Sequence, residues 1–192
     1  MHMNALEYLQ EIYPFDLETR TFTIPVSIEW YDDFSTRLDP SPAPKRDLAT
    51  EVVEYLNQCS NEIPCRYPVS IQLQIRADVR DAQREQDCLE SLRLFFQHEM
   101  FVEKSEIRRR RGDALKYLLV SFLCLSFYVV TERLGLNNFF LNLLTEAVLI
   151  GGWLFMWEAV TVNFIEMDKY NQNIKKFKRL IQAKMNFSYA LE

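Results

Sequence analysis

The hydrophobic pattern changes period along the chain, and each change marks an element. From Asn4 to Tyr13, Leu6, Leu9, Ile12 and Tyr13 share one helical face, which predicts a short amphipathic helix ended by Pro14 and able to pack on a domain or lie on lipid. Phe22 to Trp30 then alternates: Phe22, Ile24, Val26, Ile28 and Trp30 face one way, Thr23, Pro25, Ser27 and Glu29 the other. That is a half-buried strand, and Pro25 confines it to a sheet edge because it has no N–H to donate. Tyr31 to Lys45 is a proline-punctuated loop. Asp47 is the expected cap of a helix that repeats Leu48, Val52, Tyr55, Leu56 and Cys59 at helical spacing, and Asn61 to Pro68 breaks it. Val69, Ile71, Leu73 and Ile75 form the apolar side of a second strand.

From Asp81 onward the period is helical again, through Cys88, Leu89, Leu92, Phe95, Phe96 and Met100. No proline interrupts the chain after Pro68, so this helix is expected to run on through a basic segment into the next apolar stretch as a rod of roughly 50 residues, about 75 Å long. Tyr117 to Leu134 and Phe139 to Ile165 are two such stretches, joined by Gly135 to Asn138. Each approaches or exceeds the ~20 mostly apolar residues that a bilayer-spanning helix needs.

The expected fold is thus an α+β domain of two strands and two to three helices (1–103), a basic juxtamembrane helix (104–116), a two-helix transmembrane hairpin (117–165, spans about 117–134 and 139–165) and a C-terminal tail (166–192). Two strands make a marginal sheet with open edges, which motivates pairing with a neighbouring copy or a partner strand.

Composition changes this picture only when split. Mean hydropathy of −0.17 and 26% charged residues describe an ordinary soluble domain. Residues 1–100, however, hold 18 acidic against 9 basic groups, whereas 101–192 hold 9 against 13. The basic excess flanks the apolar stretches: Lys104, Arg108, Arg109, Arg110, Arg111 and Lys116 before the first, Lys169, Lys175, Lys176, Lys178, Arg179 and Lys184 after the second, with only Arg133 beside the connecting turn. By the positive-inside rule both termini are expected in the cytosol, and Met1 to Pro14 has no apolar core of a secretory signal. Cys59, Cys65, Cys88 and Cys124 are then expected as reduced thiols.

Candidate chemistry is sparse. His98-Glu99 lacks the second histidine of a zinc-protease helix, no two cysteines have CxxC spacing, and no glycine precedes Gly112 to form a phosphate loop. No enzyme, metal or cofactor is expected. The net-acidic domain beside the basic run argues against nucleic acid. Arg108, Arg109, Arg110, Arg111 and Lys116 are candidates for anionic lipid headgroups, or serve only as the stop that fixes orientation.

Glu146 and Glu158 stand out, since a carboxylate near the bilayer centre costs roughly 2.5–3.5 kcal/mol on insertion scales. Folding at the turn sets Glu158 level with Lys116 and Tyr117, where it could form an interfacial salt bridge. Glu146 falls level with Phe127 and Tyr128, and Tyr128 could hydrogen-bond it from a stripe running Tyr117, Ser121, Cys124, Tyr128 and Glu132. In a second register Leu134 to Leu144 lies along the interface, the span begins at Thr145, and Glu158 is the buried carboxylate. Ala147 and Gly151 form a small-xxx-small pair on the face of Glu158, suited to close helix approach. Trp153 and Trp157 share another face with Glu146, Ile150 and Phe164.

Leu38 to Leu48 (LDPSPAPKRDL), Val52 to Leu56 (VVEYL), the arginine cluster, and Glu146 to Trp157 (EAVLIGGWLFMW) resemble a family of uncharacterised bacterial proteins with two membrane spans and a small cytosolic N-terminal domain. The resemblance covers about Leu38 to Asp168. It implies topology and a bacterial inner membrane, with no activity attached. A basic residue often follows the second tryptophan in that family, where this chain has Glu158. The expected function is a self-assembling scaffold or partner-binding module, homo-oligomeric, in contact with membrane lipids and with a possible cytosolic protein partner; the alternative is an oligomeric pore gated by the cytosolic domain.

Overall fold

A computed structural model of the chain describes residues 5–76, 78, 80–135 and 138–190. The elements are helix α1 (Ala5–Ile12), strands β1 (Phe15–Asp16) and β2 (Thr21–Ser27), helix α2 (Thr50–Glu62), strand β3 (Val69–Arg76), helices α3 (Ala82–Arg133), α4 (Phe139–Thr161) and α5 (Met167–Gln182), and strand β4 (Lys184–Ala190). A single π-helical turn, Val162–Glu166, joins α4 to α5. The chain divides into two compact units: residues 1–101 with 174–192, and residues 102–173.

The first unit contains a four-stranded sheet in the order β1-β2-β3-β4, not the two strands expected. β1 pairs antiparallel with β2, while β2, β3 and β4 run parallel. Neighbouring parallel strands require a crossover between them. For β2 and β3 it is supplied by α2. For β3 and β4 it is everything from Ala77 to Ala183, so the second unit is an insertion within one crossover of the sheet. The expected separate tail 166–192 is therefore corrected: its last residues are an integral strand, paired with β3 from Ser70↔Lys184 to Arg76↔Ala190.

The alternation seen in sequence explains the core. Phe22, Ile24 and Val26 of β2 and Val69, Ile71, Leu73 and Ile75 of β3 are buried on one sheet face. Leu9 and Tyr13 from and beside α1, Val52, Leu56 and Cys59 of α2, Cys88, Leu92 and Phe96 of α3, and Phe177 and Leu180 of α5 belong to the same cluster. Helix α1 thus packs on the domain through Leu9 and Tyr13, whereas Ile12 is exposed. Strand β2 lies between β1 and β3 rather than at the edge expected from Pro25, but β1 pairs only with Thr21 and Phe22 and stops short of the proline. Phe22 N–H donates to Pro68 O and Ile28 N–H to Gln74 O, so even-numbered residues of β2 donate towards β3, and Pro25 faces the side that β1 leaves unpaired beyond Phe22.

Helix α2 starts later than expected. Its cap is Ala49, without a side-chain bond, because Asp47 is already engaged in the preceding loop: its carbonyl accepts from Thr36 N–H (2.9 Å) and its N–H donates to Asp39 Oδ2 (2.9 Å).

Arg179 ties α5 to the far end of α2. Its Nη1 donates to the carbonyls of Ile63 (3.0 Å), Pro64 (3.0 Å) and Tyr67 (3.4 Å). Its Nη2 donates to the carbonyl of Ser60 and to Ser60 Oγ (2.7 Å). The last carbonyls of a helix lack intrahelical partners and carry the negative end of its dipole, so a buried guanidinium satisfies both needs. Replacing Arg179 with Leu should cost about 2–4 kcal/mol, because several buried carbonyls lose their donors at once; Arg179→Lys should recover only part of it, since an ammonium lacks the planar fork. Thermal unfolding of the solubilised chain, followed by circular dichroism, checks this, and an unchanged midpoint in Arg179→Leu would remove the clamp's importance.

Candidate functional site

Helix α3 and the continuous helical stretch Phe139–Gln182 are each long and apolar enough to cross a membrane. Their most apolar windows are only 6% and 11% buried. The core helix of a soluble protein would be mostly buried, whereas Leu119, Phe122, Leu123, Trp153, Leu154 and Trp157 stand exposed. Two long apolar helices follow the strands of the first unit, but the first is far longer than the span expected of it: α3 has 52 residues and continues through Gly112 without a break.

The hairpin closes by chemistry legible in its ends. Gly135 adopts the left-handed conformation (φ 62°), the usual helix terminator after α3, and its N–H reaches Glu132 O at 3.2 Å. Asn138 caps α4 by accepting from Phe140 N–H at 3.2 Å. Leu136 and Asn137 of the expected turn lie outside the described residues. Helix α4 begins at Phe139 with no interruption at Thr145.

The α3 face that meets α4 is the stripe of Tyr117, Ser121, Cys124 and Tyr128. Ser121 is fully buried, and Tyr117 stacks on Phe155 with ring centroids 6.2 Å apart. The closest approach is at Gly152, where an added Cβ would sit 3.0 Å from Cys124 Cβ and 3.3 Å from Leu125 Cδ2. Of the two packings open to the Ala147–Gly151 pair, hairpin or subunit, the hairpin one is not made. Around Gly151 there is nothing within 4 Å of such a Cβ, and Ala147 is exposed. Glycine is needed one position further on because Gly152, with Thr145 and Ala159, is buried on the inner face of α4.

The Gly152–Cys124 contact also fixes the levels of the two carboxylates. Glu146 and Glu158 lie six residues either side of Gly152, about 9 Å along the axis in each direction. Counting from the same contact, Glu158 is level with Leu118 and Glu146 with Val130. Both are exposed, and among the described residues neither has a hydrogen-bond or ion-pair partner. The expected salt bridge of Glu158 is not made; Lys116 binds Asp113 instead, at 2.9 Å. Tyr128 and Glu146 do line one cleft of about 200 Å³, with Thr131, Glu132, Asn142 and Thr145, but do not bond to each other.

The basic segment is partly neutralised from within. Arg109 binds Glu106 (2.7 Å), and Arg110 binds both Glu106 (3.2 Å) and Glu166 (3.5 Å). Hydrogen bonding from Arg109 is the main reason the Glu106 carboxyl is held below its ordinary range. Arg108 and Arg111 are exposed and unpartnered among the described residues.

In the first unit, the most chemistry-like cavity, also about 200 Å³, is lined by Asp32, Arg46, Arg84, Asp87, Cys88 and neighbours. Burial, reinforced by Asp87 and Glu85, pushes the Cys88 thiol up to about 12. At neutral pH it is a protonated thiol rather than a nucleophile. Among the described residues no group of three His, Cys, Asp or Glu could hold a metal ion.

No family model matches the chain, and neither a curated protein nor a solved structure matches it.

The two adjacent glycines should behave oppositely on substitution. Gly151→Ala should leave the melting temperature of the solubilised protein unchanged or raised, since nothing crowds the new methyl. Gly152→Leu should lower stability by about 1–3 kcal/mol through overpacking against Cys124 and Leu125. Equal effects at the two positions would contradict the register of the hairpin.

Proposed function

We propose that the chain is an inner-membrane scaffold or partner-binding module that self-assembles through the hairpin. The carrying observation is the open face of α4. Taking 100° per residue, Glu158 and Gly151 lie about 20° and 40° from Ala147, while the face packed on α3, through Ala159, Gly152 and Thr145, lies about 120–160° from it. The hairpin's own packing thus leaves exposed a strip that combines small residues with an unpartnered carboxylate. In lipid such a strip is costly alone and favourable against another helix, where backbones approach closely and Glu158 finds a donor.

The distribution of Lys and Arg supports cytosolic placement of the first unit and of both termini. The resemblance of Glu146 to Trp157 to bacterial two-span proteins supports the inner membrane. The outer edge of β4, which carries no strand among the described residues, is a second surface for a cytosolic partner.

The mass of the complex in native lipid nanodiscs tests the proposal. A defined multiple of the 22.9 kDa chain is expected. Gly151→Leu should shift the population to monomer while leaving the hairpin's stability intact, because position 151 touches nothing within the chain. A monomeric native protein would overturn self-assembly and leave a tether.

The cleft of Tyr128, Thr131, Glu132, Asn142, Thr145 and Glu146 favours a second reading, an oligomeric pore, since polar groups at membrane depth commonly line a water-filled path. That reading expects ion flux in liposomes that Glu146→Gln reduces at least severalfold. Flux indifferent to Glu146 and Glu158 would reject it.

A further inference from the structure

The second unit holds an amphipathic groove that neither the packing of the hairpin nor the open strip of α4 uses. It has a volume of about 410 Å³, within the ~300–1,000 Å³ typical of small-molecule sites, and lies between α3 and the end of α4. Leu115, Leu118, Val160 and Phe164 give it an apolar wall, and Arg111 with Asn163 supply its polar groups. Counting from the Gly152–Cys124 contact, Arg111 and Asn163 belong to the end of the hairpin away from the connecting turn, and Leu118 and Val160 lie closer to its middle. The groove is therefore polar outward and apolar inward, the same gradient as a phospholipid in a leaflet.

Charge sharpens the match. Arg109, Arg110 and Lys116 are held by Glu106, Glu166 and Asp113. Arg111 is exposed and carries no ion pair among the described residues, and the Asn163 amide likewise has no partner. Asn163 and Phe164 both belong to the π-helical turn Val162–Glu166, a rare departure from α-helix that recurs at functional sites. Two polar groups without partners among the described residues thus line the outer end of one groove whose inner end is apolar.

We infer that this groove binds one anionic phospholipid per chain, its phosphate on Arg111 and Asn163 and one acyl chain along Leu115, Leu118 and Val160. The inference rests on the membrane reading above and deepens it. A guanidinium presents a planar fork to phosphate oxygens, which a neighbouring lysine would not. Arg108 does not line the groove, so the site separates specific lipid binding from general attraction to the surface.

The test uses the full chain purified in mild detergent, exchanged into nanodiscs of phosphatidylcholine with phosphatidylglycerol, and released for native mass spectrometry. The native protein should retain about one phosphatidylglycerol per chain. Arg111→Gln should lower retention about fivefold, which is the ~1 kcal/mol expected of one basic residue at a membrane surface. Val160→Trp, which fills the slot without touching the charge, should lower it comparably, and Arg108→Gln should not. Retention unchanged in both Arg111→Gln and Val160→Trp, or equal retention of phosphatidylcholine, would overturn the site. A chain that stays soluble and monodisperse without detergent would instead overturn the membrane reading itself, so the two failures are distinguishable.

Discussion

Arg179 is the constraint on which the first unit turns. Its side chain leaves α5, the helix that follows the hairpin, and ends buried among the carbonyls that close α2 and lead into β3. Desolvation of that guanidinium would be costly if its donors were idle; the carbonyls offset the cost and are themselves left without partners if it is removed. Phe177 and Leu180 on the same helix complete the core against Phe96 and the sheet. A unit that looks N-terminal in the sequence is therefore assembled from both flanks of the intervening helices, and the C-terminal flank contributes a strand, a core wall and the only buried cationic side chain among the described residues.

Much of this was legible in residue order, and the failures have physical causes. Strands β2 and β3 announced themselves because alternation over seven or eight residues has one explanation, a sheet with a wet face and a dry face. Strand β4 did not. Met185, Phe187 and Tyr189 alternate just as cleanly, but the run follows a lysine-rich helix and takes its meaning from β3, a partner more than a hundred residues away that no local pattern reveals. Asp47 is a good capping residue by type, yet the loop spends its backbone on Thr36 and Asp39, and the helix waits for Ala49.

In the hairpin, periodicity found the inner stripe of α3 and missed the inner face of α4. Tyr117, Ser121, Cys124 and Tyr128 are spaced by three and four among bulky apolar neighbours, so the stripe is distinct. On α4 two glycines are adjacent, and spacing alone paired Gly151 with Ala147; only the register of one helix on the other selects Gly152. The same register places Glu146 and Glu158 symmetrically about the point of closest approach, a relation invisible until the contact is known. The basic cluster was read as uniform, but three of its five members are neutralised by carboxylates a turn away or on the facing helix, which leaves Arg108 and Arg111 as the free charges.

The interleaved order of sheet and hairpin has a consequence for the chain during its synthesis. Strand β3 emerges from the ribosome before either long helix, and β4 only after both. Until β4 has been made, β3 presents an unpaired edge, the kind of surface that aggregates form on. The sheet is thus completed only when the whole chain has been made, sealed by its last strand.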